Sequence, residues 1–299
     1  MKQSSRLSPG SKPKVIAAIP AFNEEQYIGT VVLKTRQYVD EVIVVDDGSA
    51  DQTADVAKLA GATVIQHRQN EGYGASIQTL LAEAKKRQAD ILLLLDADSQ
   101  HNPDEIPHLL KPISEGFDLV IGSREQQKAS IPRYRHIGQR VISFFSYILS
   151  REKVSDSESG FRVFSKEAIA KLELTENGMS VSAETIADAA KKGLKITERP
   201  ISVRYTKDGS TLHPVVHGFQ VLGRIIAMIS ERRPLFFFGL GGAIVSLLGF
   251  LAGIRVLSIV SGGGGTATGT ALVSVLLLII GVFSVFTGII LDVLAKRKG

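Results

Sequence analysis

Ile91-Leu92-Leu93-Leu94-Leu95-Asp96-Ala97-Asp98-Ser99-Gln100-His101 is the stretch whose reading decides the fold. Five aliphatic residues in a row are too few to give a helix its own amphipathic face, and they predict a buried strand of a parallel sheet. The run stops at two aspartates spaced one apart. In an open α/β sheet the ligand crevice lies at the carboxyl ends of the strands. Two carboxylates there, with Gln100 just beyond, make a hard-oxygen cluster suited to Mg2+ or Mn2+ carrying phosphates. The competing reading is local, with Asp98 or Ser99 capping a helix expected near Pro103.

Working outward, residues 15–20, 41–45, 63–65 and 117–121 predict further strands. Helical patterns follow the first two, with Ile28, Val31 and Val32 at helical spacing and a second helix over 52–59. Strand and helix alternate, which predicts an α/β fold with a mostly parallel sheet and helices on both faces. Polar groups fall at four strand ends: Asn23/Glu24, Asp46/Asp47, Asp96/Asp98 and Arg124. One such residue is common punctuation, but four clusters at one sheet edge read as a site. The Gly72-Tyr73-Gly74 loop, opening a helix over 75–87, serves equally as a phosphate cradle or as turn chemistry.

The far end has another character. Residues 235–254 and 271–291 are uncharged apolar runs of membrane-spanning length, joined by the glycine turn Ser261-Gly262-Gly263-Gly264-Gly265-Thr266. Arg232 and Arg233 precede the first run and Lys296, Arg297 and Lys298 follow the second. The positive-inside rule then puts both ends in the cytoplasm and the turn outside, with Arg255 snorkelling to the headgroups. The alternative, two buried helices of a soluble core, fits these lengths and flanks less well.

Of 35 basic and 30 acidic residues, all but four basic and one acidic precede residue 234, so the soluble part is nearly balanced. No basic stripe marks it as a nucleic-acid binder. There is no cysteine, so neither disulfides nor a thiolate metal site arise. The opening residues lack the apolar core of a signal peptide and predict a loose cytosolic tail. Two amphipathic stretches remain. One carries Ile137, Val141, Phe144, Phe145 and Ile148, with Arg133, Arg135 and Arg140 nearby; the other carries Val215, Phe219, Leu222, Ile226 and Ile229. Either is a core helix or an interfacial one, and the second favours the interface because it leads into the first apolar run. The expected division is a tail at 1–13, a cytosolic catalytic domain at 14–212, an interfacial helix at 213–233 and a two-span transmembrane hairpin at 234–299. The protein is expected in the cell membrane as a multi-pass chain with its catalytic domain on the cytoplasmic side.

Five segments carry a resemblance: Ile19-Pro20-Ala21-Phe22-Asn23-Glu24, Val44-Val45-Asp46-Asp47-Gly48-Ser49, Asp96-Ala97-Asp98-Ser99-Gln100-His101, Gly122-Ser123-Arg124 and Ser159-Gly160-Phe161-Arg162. On these the chain resembles family-2 inverting glycosyltransferases of GT-A (Rossmann-like) fold, and more narrowly the dolichyl- or polyprenyl-phosphate sugar synthases. The resemblance implies a donor pocket of Pro20, Ala21, Asn23, Glu24, Asp46, Asp47, Gly48, Ser49, Arg68, Asn70, Asp96, Ala97 and Asp98. It implies that Asp46 faces base or ribose, and that Asp96, Asp98 and Gln100 hold Mg2+ or Mn2+ against the diphosphate. Arg124 matches the arginine that meets the lipid phosphate in that family, and Arg140 falls where a second is expected. A lipid monophosphate is anionic near neutral pH, so the implied reaction needs alignment and neutralisation of the leaving diphosphate rather than a protein base. In-line attack would invert the anomeric centre.

Two departures stand out. The family's Asp-Pro-x-Ser-Gly-Phe is here Asp156-Ser157-Glu158-Ser159-Gly160-Phe161, and a basic residue usual after Gly-x-Ser is missing from Lys207-Asp208-Gly209-Ser210-Thr211. Whether Arg204 or Lys207 closes over the diphosphate stays open. A two-span tail leans the donor towards UDP-glucose or UDP-N-acetylglucosamine, with GDP-mannose the alternative. A processive synthase would need a Gln-x-x-Arg-Trp motif, and the chain has no tryptophan. A soluble acceptor would leave the hairpin without purpose, and an inactive membrane scaffold would not need Asp96, Asp98 and Arg124. A homo-oligomer is compatible with the chain.

Overall fold

The computed structural model describes residues 12–124, 133–203, 214–262 and 267–298, and side chains over the same ranges except 133–140, 214–220, 232 and 295–298. The N-terminal tail through residue 11, Arg204, Lys207 and the turn at 263–266 therefore lie outside the described residues, as does the side chain of Arg140. Seven strands form one sheet: β1 (Val15–Ala21), β2 (Glu41–Asp46), β3 (Thr63–Gln66), β4 (Ile91–Leu94), β5 (Leu119–Ser123), β6 (Arg162–Ser165) and β7 (Ile196–Pro200). Their order is β3-β2-β1-β4-β6-β5-β7. Every neighbouring pair is parallel except those of β6, which runs antiparallel to both β4 and β5.

The helices of this part are α1 (Ile28–Thr35), α2 (Thr53–Leu59), α3 (Tyr73–Lys86), α4 (Ile106–Ser114), α5 (Arg133–Ser150), α6 (Lys166–Lys171) and α7 (Val181–Lys191). β1 shows why the sheet is covered twice. Val15, Ala17 and Ile19 face a core shared with Ile28 and Val32 of α1 and with Ile106 and Leu109 of α4. Ile16 and Ala18 face the other, shared with Ile77 and Leu80 of α3, Ile169 of α6 and Ile186 of α7. A central strand buried on both faces reads as an unbroken apolar run, which is what its sequence shows.

The expected strand over 117–121 is found two residues later. Asp118 still bonds both neighbours through its backbone, to the Lys195 carbonyl at 2.8 Å and from the Ser165 amide at 2.9 Å, while its carboxylate accepts from the Ser165 hydroxyl and the Lys195 amide. Pairing with β7 then carries the strand on to Ser123, opposite Pro200. Neither β6 nor β7 is signalled by the sequence, since the first has only Val163 and Phe164 between Arg162 and Ser165 and the second, Ile196-Thr197-Glu198-Arg199-Pro200, is a polar edge strand. β6 nonetheless fixes the site. Arg162 stands opposite Leu94 of β4 and Ile121 of β5, so the loop before it arrives at the edge where those two strands end.

The two amphipathic stretches differ in how much of their apolar face they bury. On α5, Val141, Phe144 and Tyr147 are exposed while Ser146 and Leu149 are buried. On the described part of α8 (Pro214–Arg232), Val221, Ile225, Met228 and Ile229 are buried instead, and Gly223 and Arg224 are exposed.

The chain divides into two compact units, residues 1–225 and 226–299, with the division inside α8. The second unit holds a π-helical turn (Leu235–Leu240), α9 (Gly241–Ser261) and α10 (Thr268–Lys298). Two apolar stretches, Leu235–Ser261 and Thr268–Leu294, have 27 residues each. At about 1.5 Å per residue each measures roughly 40 Å, more than the ~30 Å hydrocarbon core of a bilayer. Leu247, Phe250, Leu276, Phe283 and Phe286 are all exposed, which argues against the soluble-core alternative for these helices. The seam between them is built of small residues, a composition enriched where helices pair in lipid. A Cβ on Gly249 would meet the Leu278 nitrogen at 2.8 Å, one on Gly281 would meet the Ser246 nitrogen at 2.5 Å, and the Ser274 hydroxyl donates to the Gly249 carbonyl at 2.7 Å. Replacing Gly281 by valine should overpack this seam and cost roughly 1–3 kcal/mol. The apparent Tm of the detergent-solubilised protein should fall, and an unchanged Tm would mean that the helices do not meet at Gly281.

Candidate active site

The β1 and β2 ends are tied together before any ligand is considered. Asn23, at a positive φ of 56°, donates its amide to the Ser49 hydroxyl at 2.8 Å, and its side-chain oxygen accepts from the Ala50 amide at 2.9 Å. The Glu24 amide donates to Thr53 at 2.7 Å. Pro20 and Ala21 are the last residues of β1, and the Ala21 carbonyl accepts from the Asp47 amide at 2.8 Å.

The two adjacent aspartates have different tasks. Asp46 is buried and accepts from Ser49 and from Gln66 Nε2. Asp47 is also buried and is committed to the next loop. It takes the Glu71 and Gly72 amides at 3.0 and 2.9 Å, and lies 2.7 Å from His67 Nδ1. Gly48 permits that loop to close on it. Its φ is 72°, and a Cβ there would sit 2.6 Å from the Gln69 carbonyl carbon and 2.8 Å from the Asn70 nitrogen. Arg68 and Asn70 are left exposed beside the β2 end.

Asp96 is held on three sides. Tyr73 donates its hydroxyl to Oδ1 at 2.9 Å, and His101 Nε2 stands 3.3 Å from Oδ2. Gly160 forms the third wall, where a Cβ would lie 2.1 Å from Oδ2. Burial opposes ionisation of Asp96, but His101 and Tyr73 outweigh it and hold the carboxyl below its usual range. Asp98 is less engaged, accepting from the Gln100 amide at 3.0 Å across Ser99, whose φ is 61°. Burial and the charge of Asp96 push Asp98 up to about 6. Burial, then the charges of Asp98, Asp96 and Asp51, push Glu24 up to about 7.

The capping alternative fails here. The helical turn at Pro103–Glu105 is capped by Asn102, which accepts from the Asp104 amide at 3.2 Å, and neither Asp98 nor Ser99 serves it. The cradle reading of Gly72-Tyr73-Gly74 fails as well. The Gly74 amide donates to the Asn177 carbonyl at 2.7 Å, so protein backbone occupies that helix end. Among the described residues no three His, Cys, Asp or Glu side chains are set to hold a cation unaided. The donor set still suits one that brings phosphate with it, because a hard divalent ion commonly takes only one or two carboxylates and completes its shell from ligand and water. Mutual repulsion among Asp96, Asp98 and Glu24 marks where positive charge would be stabilising.

Arg124, at the end of β5, is gripped by Asp156, with Nε and Nη2 each donating at 2.6 Å to a different oxygen. The Arg124 amide adds a third bond at 3.1 Å. Such a fork fixes the guanidinium plane. Behind it, the fully buried Arg162 donates to the Ser157, Ser159 and Ser182 carbonyls at 2.7, 2.8 and 2.9 Å and so shapes the loop that carries Gly160. Tyr73, Asp156 and Arg162 are thus parts of the site to which the sequence assigned no role. Asp156 and Arg162 lay inside or beside a quoted motif, whereas Tyr73 had no signal beyond sitting between two glycines.

The comparisons agree with this geometry. The sequence profile described as Glycosyl transferase family 2 matches residues 16–173. A UDP-N-acetylglucosamine–dolichyl-phosphate N-acetylglucosaminyltransferase of Methanococcus voltae is 33% identical over 236 residues, covering 70% of this chain and 94% of the relative. A dolichyl-phosphate hexose transferase of Haloferax volcanii is 30% identical, covering 71% and 92%. Glucosyl-3-phosphoglycerate synthase of Mycobacterium tuberculosis, crystallised with UDP, superposes with a TM-score of 0.59 at 24% identity, covering 72% of this chain and 80% of that one. The same enzyme was also crystallised with Mn2+, UDP-glucose and phosphoglyceric acid, superposing with a TM-score of 0.58 at 23% identity over 73% and 79% of the two chains. These superpositions confirm the GT-A-like fold.

Glu158, in the loop between Asp156 and Gly160, has a buried Oε1 without a hydrogen-bond partner among the described residues. Burial pushes its carboxyl from 4.5 up to about 7 against the pull of Arg162. A group that binds its proton more tightly when folded costs stability as pH rises from about 4.5 to about 7, and the cost is constant above. At pH 8 that cost is roughly 3 kcal/mol. Glu158→Gln should therefore raise Tm at pH 8 and leave it nearly unchanged at pH 5, as followed by circular dichroism. An equal effect at both pH values would show that Glu158 does not titrate in this range.

Proposed function

The chain belongs to glycosyl transferase family 2, and on that premise we propose that it transfers a hexose from a nucleotide sugar to a polyprenyl or dolichyl phosphate at the membrane. The observation that carries this reading is the convergence of the Asp96–Asp98 pair and the clamped Arg124 on one sheet edge, in a chain that also supplies two membrane-length helices. Dolichyl phosphate appears in the names of relatives matched over nearly their whole length. The donor favoured is a UDP sugar, UDP-N-acetylglucosamine or UDP-glucose, with GDP-mannose the runner-up; the Methanococcus voltae relative supports the first.

Asp98, with Asp96 and Gln100 beside it, would hold Mg2+ or Mn2+ against the diphosphate, a role supported by the Mn2+ of the Mycobacterium tuberculosis enzyme. When bound, such an ion supplies Lewis acidity and charge neutralisation to the leaving group. The protein's own residues do the rest. Asn23, Glu24, Asp46, Ser49, Arg68 and Asn70 surround the nucleoside, while Asp47 and Gly48 keep their loop closed. Arg124, its plane set by Asp156, aligns the acceptor phosphate, with Arg140 on α5 a second contact. The exposed Val141, Phe144 and Tyr147 of α5 would lie against lipid. A phosphate oxygen then bonds to the anomeric carbon as the bond from that carbon to the nucleoside diphosphate breaks, inverting the centre and needing no protein base.

The test is a panel of UDP-glucose, UDP-N-acetylglucosamine and GDP-mannose with a short polyprenyl phosphate and Mn2+. One UDP sugar should yield a lipid-linked product, Asp98→Asn should abolish it, and EDTA should inactivate the wild type reversibly. No transfer from any donor would leave the inactive scaffold. Arg124→Ala would also strand the buried Asp156, so Arg124→Lys is the cleaner probe. Losing a charge-assisted phosphate contact costs roughly 1.5–3 kcal/mol, so turnover should fall about ten- to a hundredfold while calorimetric donor affinity holds. Equal loss of donor affinity would reassign Arg124 to the diphosphate.

The topology follows from the charged flanks. A reporter fused after Gly299 should be cytoplasmic, and one in the turn at 262–265 should be outside. A cytoplasmic signal from the turn would mean that the two stretches do not span.

A further inference from the structure

Tyr73 is the first residue of α3, yet its hydroxyl reaches across to a carboxylate at the end of β4, 2.9 Å from Asp96 Oδ1. Its position is fixed by backbone rather than by chance packing. The Gly72 φ is 103°, and a Cβ there would stand 2.4 Å from the Asn177 carbonyl oxygen. A Cβ on Gly74 would stand 2.0 Å from the Glu176 carbonyl oxygen. Glycine on both sides of Tyr73 therefore lets the 176–177 turn lie against the chain, and Gln78 Nε2 adds a bond to the Glu176 carbonyl at 3.1 Å. That turn is itself held. The Thr175 and Glu176 amides donate to the Glu184 carboxylate at 3.0 and 2.9 Å, and Ser180 and Arg224 each donate to Glu176 Oε2 at 2.8 Å.

We propose that Tyr73 is a positioning residue for the cation site: its hydroxyl, opposing His101 on the other oxygen, sets the rotamer in which Asp96 and Asp98 receive a divalent ion together. The inference rests on the reading of that pair as the cation site. Two opposing effects separate orientation from charge. A donor on a carboxylate withdraws electron density, so its removal alone would make Asp96 a better ligand and tighten cation binding. Loss of orientation acts the other way, and partners that orient metal ligands are commonly worth 10–100-fold in affinity.

The experiment is Mn2+ titration of the full-length protein in detergent, read by the electron paramagnetic resonance signal of free Mn2+, with and without UDP. Tyr73→Phe keeps the ring and removes only the hydroxyl. Its Mn2+ affinity should fall about tenfold, and the Mn2+ concentration for half-maximal transfer should rise while turnover at saturating Mn2+ is kept. Unchanged or tighter Mn2+ binding by Tyr73→Phe, against a wild type that binds, overturns the role of Tyr73 and leaves the proposed function standing. A lowered Tm with unaltered Mn2+ affinity would make the residue merely structural. A wild type that binds no Mn2+ even with UDP overturns this inference through the cation site on which it rests.

Discussion

The site depends on one contact, the approach of Gly160 to the Asp96 carboxylate. Only a residue without a Cβ leaves room there, and only an antiparallel strand between β4 and β5 can bring the loop ahead of it to the carboxyl edge. Had β6 run parallel like the rest of the sheet, its start would lie at the opposite edge. Arg124, Asp156 and Arg162 would then have no reason to share a neighbourhood with Asp96. Arg162 serves that contact from behind by binding three carbonyls, which fixes the curve of the loop at the expense of burying a guanidinium. Burying such a charge is tolerable because its N–H groups are hydrogen-bonded and Asp156, Glu158 and Asp96 lie close enough to favour the cation.

The site is electrostatically uneven. On one side, Asp96 is stabilised as an anion by His101 and Tyr73, and Asp156 by Arg124. On the other, Asp98 and Glu24 resist ionisation because burial and their neighbours' charges oppose it. Anions that are prevented from spreading apart create a strong local demand for positive charge. A fixed guanidinium at the end of β5, one strand beyond β6, meets the opposite demand. The same edge thus sets crowded carboxylates beside a fixed guanidinium, the two charges that the proposed cation and phosphate would each need.

How much of this was legible in the sequence depended on the length and period of each signal. β1, β2 and β4 each hold four or more consecutive apolar residues, and both the two-faced core and the Asp96–Asp98 cluster follow from them. The strand-end rule found Asn23, Asp46 and Arg124 because polar residues there interrupt an otherwise apolar register. It could not divide the labour between Asp46 and Asp47, because that division comes from a loop fold that only Gly48 permits. β6 holds only two apolar residues, Val163 and Phe164, between Arg162 and Ser165, and its reversed direction has no local signature. Tyr73 was hidden for a different reason: its partner is 23 residues away, and nothing in a helix-opening tyrosine points to a carboxylate on the neighbouring strand. The hairpin was the reverse case, since uncharged length alone identifies it, although the side of α8 that is buried does not follow from its stripe.

The insertion of β6 also has a consequence for synthesis on the ribosome. β4 can pair with β1 as soon as it emerges, but its other edge waits for Arg162, which is opposite Leu94 in the finished sheet. At about 5–20 residues per second, the intervening chain takes roughly 3–14 seconds to appear. Throughout that interval a nascent chain presents the bare edge of Ile91-Leu92-Leu93-Leu94, among the most apolar strands of the protein. An edge of that kind is a template for pairing with other chains. The strand order that builds the site therefore leaves an apolar sheet edge open in the half-made protein until β6 has been added.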